Sequence, residues 1–325
     1  MDLHDSSVTE QAVLAVLTGT PLAEAADWAH TFPGHLAEAA ARYRAAGRMA
    51  LATRPDPSGW HQVNIEFADY PTAELTFFTY LLPPLREATD TGMVGSWWFV
   101  RKYPCWRLRV TPGREATDEE LSEHLAGVLN SAVSWGVVKR WRSVLYEPKT
   151  MAFGGPEGIE IAHDLFHIDS VGALDYLHRT STAADGTLDA MTTSLLVISH
   201  FLRAADQGWS DQGDVWARVE EKRPLPEDVT ADRVAAMTGT LHELLTMDTG
   251  LVDTNTGQLA AYADWAAGMQ RGGQAIALAA NAGLLGVGTR GILARHILCQ
   301  WNRMGFTPRQ QGIWARAARE TILGA

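Results

Sequence analysis

His61-Gln62-Val63-Asn64-Ile65-Glu66-Phe67 alternates with period two, the pattern of a half-buried strand. Ser96-Trp97-Trp98-Phe99-Val100-Arg101 reads as a second strand. Trp106-Arg107-Leu108-Arg109-Val110 is a third, alternating basic and apolar, and Val137 to Leu145 is a possible fourth. Tyr70 to Ala88 carries a helical pattern between the first two. Thr117-Asp118-Glu119-Glu120 opens another helix, with acidic residues in its first turn, that runs to about Trp135. The order β-α-β-β-α-β predicts a ferredoxin-like antiparallel sheet with helices on one face.

From Gly158 onward the signals are helical almost throughout. Expected helices are Ile159 to Phe166, one capped by Asp169-Ser170, Thr187 to Gln207, Thr230 to Met247, Asn255 to Gln270 and Gly291 to Arg303. Thr307-Pro308 caps a last helix that ends near Leu323. Upstream, three short helices are expected: one ending at Gly19, one starting at Pro21, and His35 to Ala46 closed by Gly47. A DNA-reading helix-turn-helix there would rely on Arg42, Arg44 and Arg48 alone, so packing or peptide docking fits better. The turn-rich Pro55–Gly59 separates an N-terminal helical segment (1–54) from an α+β domain (58–325). The sheet part of that domain occupies about 58–155 and the helical part about 156–325.

The 325 residues hold 27 Lys and Arg against 38 Asp and Glu, a net charge of −11 that argues against gripping nucleic acid directly. With 46% hydrophobic and 20% charged residues, the composition is that of a globular protein able to bury a sizeable core. Cys105 and Cys299 make no disulfide framework and point to a reducing compartment. The N-terminus is acidic where a signal peptide would be basic. The most apolar stretch, Gln274 to Val287, is too short to span a bilayer. A cytoplasmic protein without a membrane partner is expected. Residues 95–150 are the exception to the acidic balance, with nine Lys and Arg against six Asp and Glu.

Within that basic segment Arg107 and Arg109 are two apart on a strand, so both guanidiniums leave the same face. Adjacent guanidiniums repel unless an anion lies between them, and each is a planar fork suited to a carboxylate. A solvated outer face is the competing reading. His163 and His167 stand at zinc-sharing spacing, but Asp164 replaces the Glu such a motif requires and no third His lies at the expected offset, so no metal is expected. Phe153-Gly154-Gly155, after Tyr146-Glu147-Pro148-Lys149, forms a loop that permits positive φ. His296, Gln300 and Arg303 form one polar stripe on a helix, where a neighbouring cation would hold the imidazole pKa down. No phosphate-binding loop, nucleophile elbow or Cys pair is present, and no cofactor is expected.

Several motifs together carry a resemblance. They are Trp60 to Asn64, Ser96 to Lys102 with Trp106-Arg107-Leu108-Arg109, Tyr146-Glu147-Pro148 with Phe153-Gly154-Gly155, His163 to Ser170, and His296 with Trp301-Asn302-Arg303. In order and spacing the chain resembles, over about residues 58–325, the thiopeptide-type bacteriocin biosynthesis family. That family is the stand-alone form of the C-terminal elimination domain of class I lantibiotic dehydratases. The resemblance implies maturation of a ribosomal precursor peptide, leader and core. A partner glutamylates Ser or Thr from glutamyl-tRNA, and the elimination protein removes glutamate to leave dehydroalanine or dehydrobutyrine. It also implies roles: Arg107 and Arg109 match the family's arginines, His296 approximates its catalytic His, and Arg101, Trp98, Tyr146 and Arg303 would bind substrate. Pro148 and Lys149 stand where an Arg is expected, which puts a second anion contact in doubt. The same fold also serves thiopeptide pyridine synthases, which join two dehydroalanines in a formal [4+2] cycloaddition with leader release. A non-catalytic leader-binding module is a further alternative.

Overall fold

The computed structural model describes residues 3–52, 59–181, 188–247 and 262–324. The chain divides into two compact units, Met1–Asp56 and Pro57–Ala325. The first unit holds α1 (Leu3–Leu17), α2 (Leu22–Trp28) and α3 (Pro33–Ala52). Its core is small and alanine-rich, built on Ala12, Val13, Ala25, Ala26, Leu36 and Ala40. Helix α3 continues past Gly47, the expected stop. Arg42 and Arg44 are exposed, while the Arg48 side chain lies outside the described residues.

The second unit opens with the expected α+β fold. Strands β1 (His61–Phe67), β2 (Val94–Lys102), β3 (Cys105–Pro112) and β4 (Val138–Val144) form one antiparallel sheet in the order β2-β3-β1-β4, the ferredoxin-like topology. The run between β1 and β2 comprises α4 (Ala73–Thr76), a π turn over Phe77–Leu81 and α5 (Leu82–Asp90), where one uniform helix was expected. Pro83 and Pro84 explain the irregular turn, because neither donates an amide hydrogen and each ring crowds the carbonyl four residues back. Helix α6 (Asp118–Ser134) has a capping box: Thr117 accepts from the Glu120 amide while Glu120 accepts from that of Thr117. One sheet face buries Val63, Ile65, Phe67, Trp97, Phe99, Trp106, Leu108 and Val110 against these helices. The Phe99 and Trp106 rings stack at 4.9 Å.

The helical portion comprises α7 (Pro156–Ser181), α8 (Ala190–Ala204), α9 (Trp209–Lys222), α10 (Ala231–Thr246), α11 (Ala263–Asn281), α12 (Thr289–Arg303) and α13 (Pro308–Leu323). No break occurs at Asp169-Ser170, contrary to the expected cap. Asp169 pairs with Arg303 at 2.7 Å and accepts from Trp265 Nε1, and Ser170 donates to the Phe166 carbonyl one turn back. Tertiary partners have claimed both side chains, and α7 runs on. Gly172 lets it approach α11, since a Cβ there would lie 2.1 Å from Trp265 Cγ. Helix α9 went unread in the sequence because only Val215, Trp216 and Val219 mark its buried stripe as apolar. The starts expected at Thr187 and Asn255 fall outside the described residues; α8 begins after its cap at Asp189, and α11 runs on to Asn281, past the expected end at Gln270. No helix among the described residues is long and apolar enough to cross a membrane.

Strand β2 is an edge strand, and the helical portion seals it. The Phe99 amide donates to Ser170 Oγ (3.2 Å), and His167 Nδ1 lies 2.8 Å from the Trp97 carbonyl. Asn302 accepts from the Arg101 amide and donates to its carbonyl, each at 2.8 Å. These side chains stand in for a neighbouring strand. Asn302→Ala should therefore lower stability by about 1–3 kcal/mol, the cost of stranding half-buried backbone groups, as read from urea unfolding midpoints. An unchanged midpoint would show that the Arg101 amide and carbonyl find other partners.

Candidate active site

The second sheet face carries the polar residues. Alternation places Trp98 and Val100 of β2, Arg107 and Arg109 of β3, Gln62 and Asn64 of β1, and Arg142 and Val144 of β4 on it. Register arranges them in rows across the sheet: Trp98, Arg109, Gln62, Val144, then Val100, Arg107, Asn64, Arg142. Ile159 and Phe166 of α7, Arg295, Leu298 and Cys299 of α12, and the loop from Leu145 to Phe153 close over part of this face. They leave a cavity of about 610 Å³. Among the described residues six cations line it (Lys102, Arg107, Arg109, Arg142, Lys149 and Arg295) against one carboxylate, Glu147. A second cavity of about 440 Å³ borders α7 and Tyr262–Trp265, and there Asp175 and Asp264 outnumber Arg179.

Arg109 is the centre of the first cavity. It is 7% exposed, and its guanidinium carbon sits 4.1 Å from the Trp98 ring and 4.9 Å from the Tyr146 ring. Its Nε and Nη1 have no hydrogen-bond partner among the described residues. Burial, reinforced by the charges of Arg107 and Arg303, lowers its pKa to about 10, so it stays cationic at neutral pH. A buried cation held by ring faces and lacking a carboxylate is a site for an anionic group.

Tyr146 connects this cation to a histidine. Its Oη lies 2.9 Å from His163 Nε2, and Trp60 covers the imidazole at 4.8 Å between ring centroids. Burial pushes the Tyr146 phenol up to about 12. Burial, with the Arg109 charge, brings His163 down to about 4. His163 is therefore neutral at pH 7 and able to accept from the phenol. His167 faces the β2 edge instead, so the two histidines do not converge. Among the described residues no group of three His, Cys, Asp or Glu is arranged to hold a metal.

Of the residues singled out in the sequence, Arg107, Arg109, Trp98 and Tyr146 line the cavity together. Arg101 leaves the opposite face, where it packs on Trp106 at 4.6 Å and pairs with Glu74 at 2.7 Å. Arg303, 1% exposed, is committed to Asp169 and to Ser170 Oγ. His296 is 4% exposed and packs against Phe153, Phe166 and Phe201; it does not line the cavity, although Phe153 and Phe166 do. The polar stripe of α12 thus faces the core, with Gln300 accepting from Ser194 Oγ. The cavity receives the adjacent stripe of Arg295 and Cys299. Sequence reading missed Gln62, Asn64, Arg142 and Arg295. The signal for the first two was present in the alternation of β1, whose face opposite Val63 and Ile65 is made of amides.

A profile described as lantibiotic biosynthesis dehydratase C-terminal matches residues 60–322. No curated protein matches the chain. Among solved structures, the tRNA-dependent lantibiotic dehydratase MibB from Microbispora sp. 107891 is similar at 18% identity and a TM-score of 0.60. The match covers 82% of this chain but spans only 28% of that dehydratase. The pyridine synthase TbtD from thiomuracin biosynthesis matches at 13% identity and a TM-score of 0.59, covering 81% of this chain and 97% of its own. TsrL matches at 15% identity and a TM-score of 0.54, covering 82% and 95%. At these identities the likenesses establish the shared fold.

The buried imidazoles give the unit a pH dependence of definite sign. Burial, with the Arg303 charge, lowers His296 to about 3, and His163 lies at about 4, against 6.5 for a free imidazole. Stability from these two groups is complete above pH 6.5. It is lost as pH falls toward the folded values, because the unfolded chain takes up the protons first. His296→Gln should flatten the fall in unfolding free energy between pH 6 and 5 by about 1.4 kcal/mol per pH unit, as measured by urea titrations. An unaltered slope would mean that the folded protein already carries that proton.

Proposed function

The chain belongs to the lantibiotic biosynthesis dehydratase C-terminal family, and we propose on that footing that it matures a ribosomal precursor peptide by eliminating glutamate from glutamylated Ser or Thr. The supporting observation is the cavity itself, lined among the described residues by six cations and one carboxylate, with a buried guanidinium whose Nε and Nη1 find no partner there. In the reaction a base takes the Cα proton, the electron pair forms the Cα=Cβ bond, and the Cβ–O bond breaks. Glutamate then leaves as a carboxylate. Negative charge develops on the peptide carbonyl and on the leaving group, and fixed cations stabilise both. Arg107 and Arg109 hold these charges. Lys149, Arg142 and Arg295 supply the further anion contacts that the loss of the expected Arg at Pro148 had put in doubt.

Proton transfer falls to the Tyr146–His163 pair, since Tyr146 faces the cavity and neutral His163 stands behind it. His296, packed against the inner sides of Phe153 and Phe166, positions that wall. A glutamylating partner supplies the ester, which leaves glutamyl-tRNA off this acidic chain. A formal [4+2] closure between two dehydroalanines releases no carboxylate and would leave the cation lining without a purpose.

The test is to offer the purified protein a glutamylated Ser/Thr peptide and, separately, a peptide carrying two dehydroalanines, and to follow masses. Loss of glutamate from the first is expected. Arg107→Ala and Arg109→Ala should slow it by about 10²–10³-fold, with circular dichroism checking that each variant folds. His163→Ala should slow release more than His296→Ala. Cyclisation of the second peptide with the first returned intact would overturn the assignment.

A further inference from the structure

The two edges of the sheet are treated differently. Outward groups of β2 belong to Trp97, Phe99 and Arg101, as their bonds to His167, Ser170 and Asn302 show. Backbone direction alternates along a strand, so Trp98 and Val100 bond inward to Arg109 and Arg107. Following that alternation through the register, Leu108 bonds to Val63, and Gln62, Asn64 and Glu66 bond to Val144, Arg142 and Arg140. The register shifts between Glu66 and Phe67, so Lys139 falls at a bulge outside this alternation. Within it, the amides and carbonyls of Trp141 and Ser143 point away from the sheet. No partner for them occurs among the described residues. Lys139 and Ser143 are exposed.

This open edge adjoins the cavity, because Arg142 and Val144 belong to both. It is also basic. Strand β4 carries Lys139, Arg140 and Arg142 and no acidic residue. Glu66 is shared between Lys139 (2.8 Å) and Arg140 (2.6 Å), and Arg142 forms no ion pair among the described residues. We propose that β4 is a docking edge for an extended, acidic segment of peptide, which adds as a fifth strand. This rests on the peptide-maturation reading above and says how that peptide is held. Backbone bonds to Trp141 and Ser143 set the register, and alternate acidic side chains meet Arg142 and lead the chain toward the cavity. The other use of charged edge residues, keeping strands apart, makes the opposite forecast.

The probe is a fluorescein-labelled synthetic peptide of alternating Glu and Thr, followed by anisotropy at low salt. It carries no glutamyl ester, so binding and elimination succeed or fail separately. Two further peptides are N-methylated on every Glu or on every Thr. Edge pairing uses only one alternate set of amides. One methylated peptide should lose about tenfold or more in affinity while the other binds as the parent does. Loss in the Thr set marks antiparallel addition, and loss in the Glu set marks parallel addition. Ser143→Pro, which removes an outward amide at an edge position where proline is tolerated, should weaken the parent peptide about tenfold, and Ser143→Ala should not. Absence of binding, equal tolerance of both methylated peptides, or equal loss in both would overturn the proposal.

Discussion

An edge strand cannot be covered by helices until its outward amides and carbonyls have partners, because stranding them costs more than the apolar contact returns. On β2 the partners are His167 and Ser170 of α7 and Asn302 of α12. Those three side chains fix where the helical portion meets the sheet. They bring Phe166, Leu298 and Cys299 over the polar face while leaving the cavity between. The site is thus the space that remains once a hydrogen-bonding requirement at the neighbouring edge has been met.

Charge is partitioned by the same packing. Arg303 and Arg109 are both buried cations, yet among the described residues Arg303 has a carboxylate in Asp169 while Arg109 lies on the faces of Trp98 and Tyr146. The first arrangement is closed and structural. Replacing it piecemeal would expose one charge of a buried pair, a costly change. The second keeps the charge and its hydrogen-bond donors available, since an aromatic ring lowers the cost of burying a guanidinium without occupying all its N–H groups.

Much of this was legible in the residues. The alternation of His61–Phe67 and Trp106–Val110 was enough to place the strands, and with the intervening helices it specified the topology. Arg107 and Arg109 could be put on one face for the same reason. What could not be read was which of two adjacent helical stripes turns inward. His296 and Arg303 are polar, and polarity ordinarily argues for the accessible side. Here Asp169, Ser170 and Ser194, distant in sequence, satisfy or surround that stripe, and Arg295 takes the accessible position. The supposed cap at Asp169-Ser170 failed for the same reason. A residue that could satisfy its own helix end was recruited by a partner more than a hundred positions away.

The contacts that seal β2 reach forward along the chain by 71 residues from Phe99 to Ser170 and by 201 from Arg101 to Asn302. Loop closure on that scale is slow, and during synthesis the partner on α12 emerges long after the sheet. A nascent chain that has made only its four strands has two open edges in place of one. The order of assembly therefore runs from a sheet able to pair with other chains at either side to a finished protein that admits pairing at β4 alone.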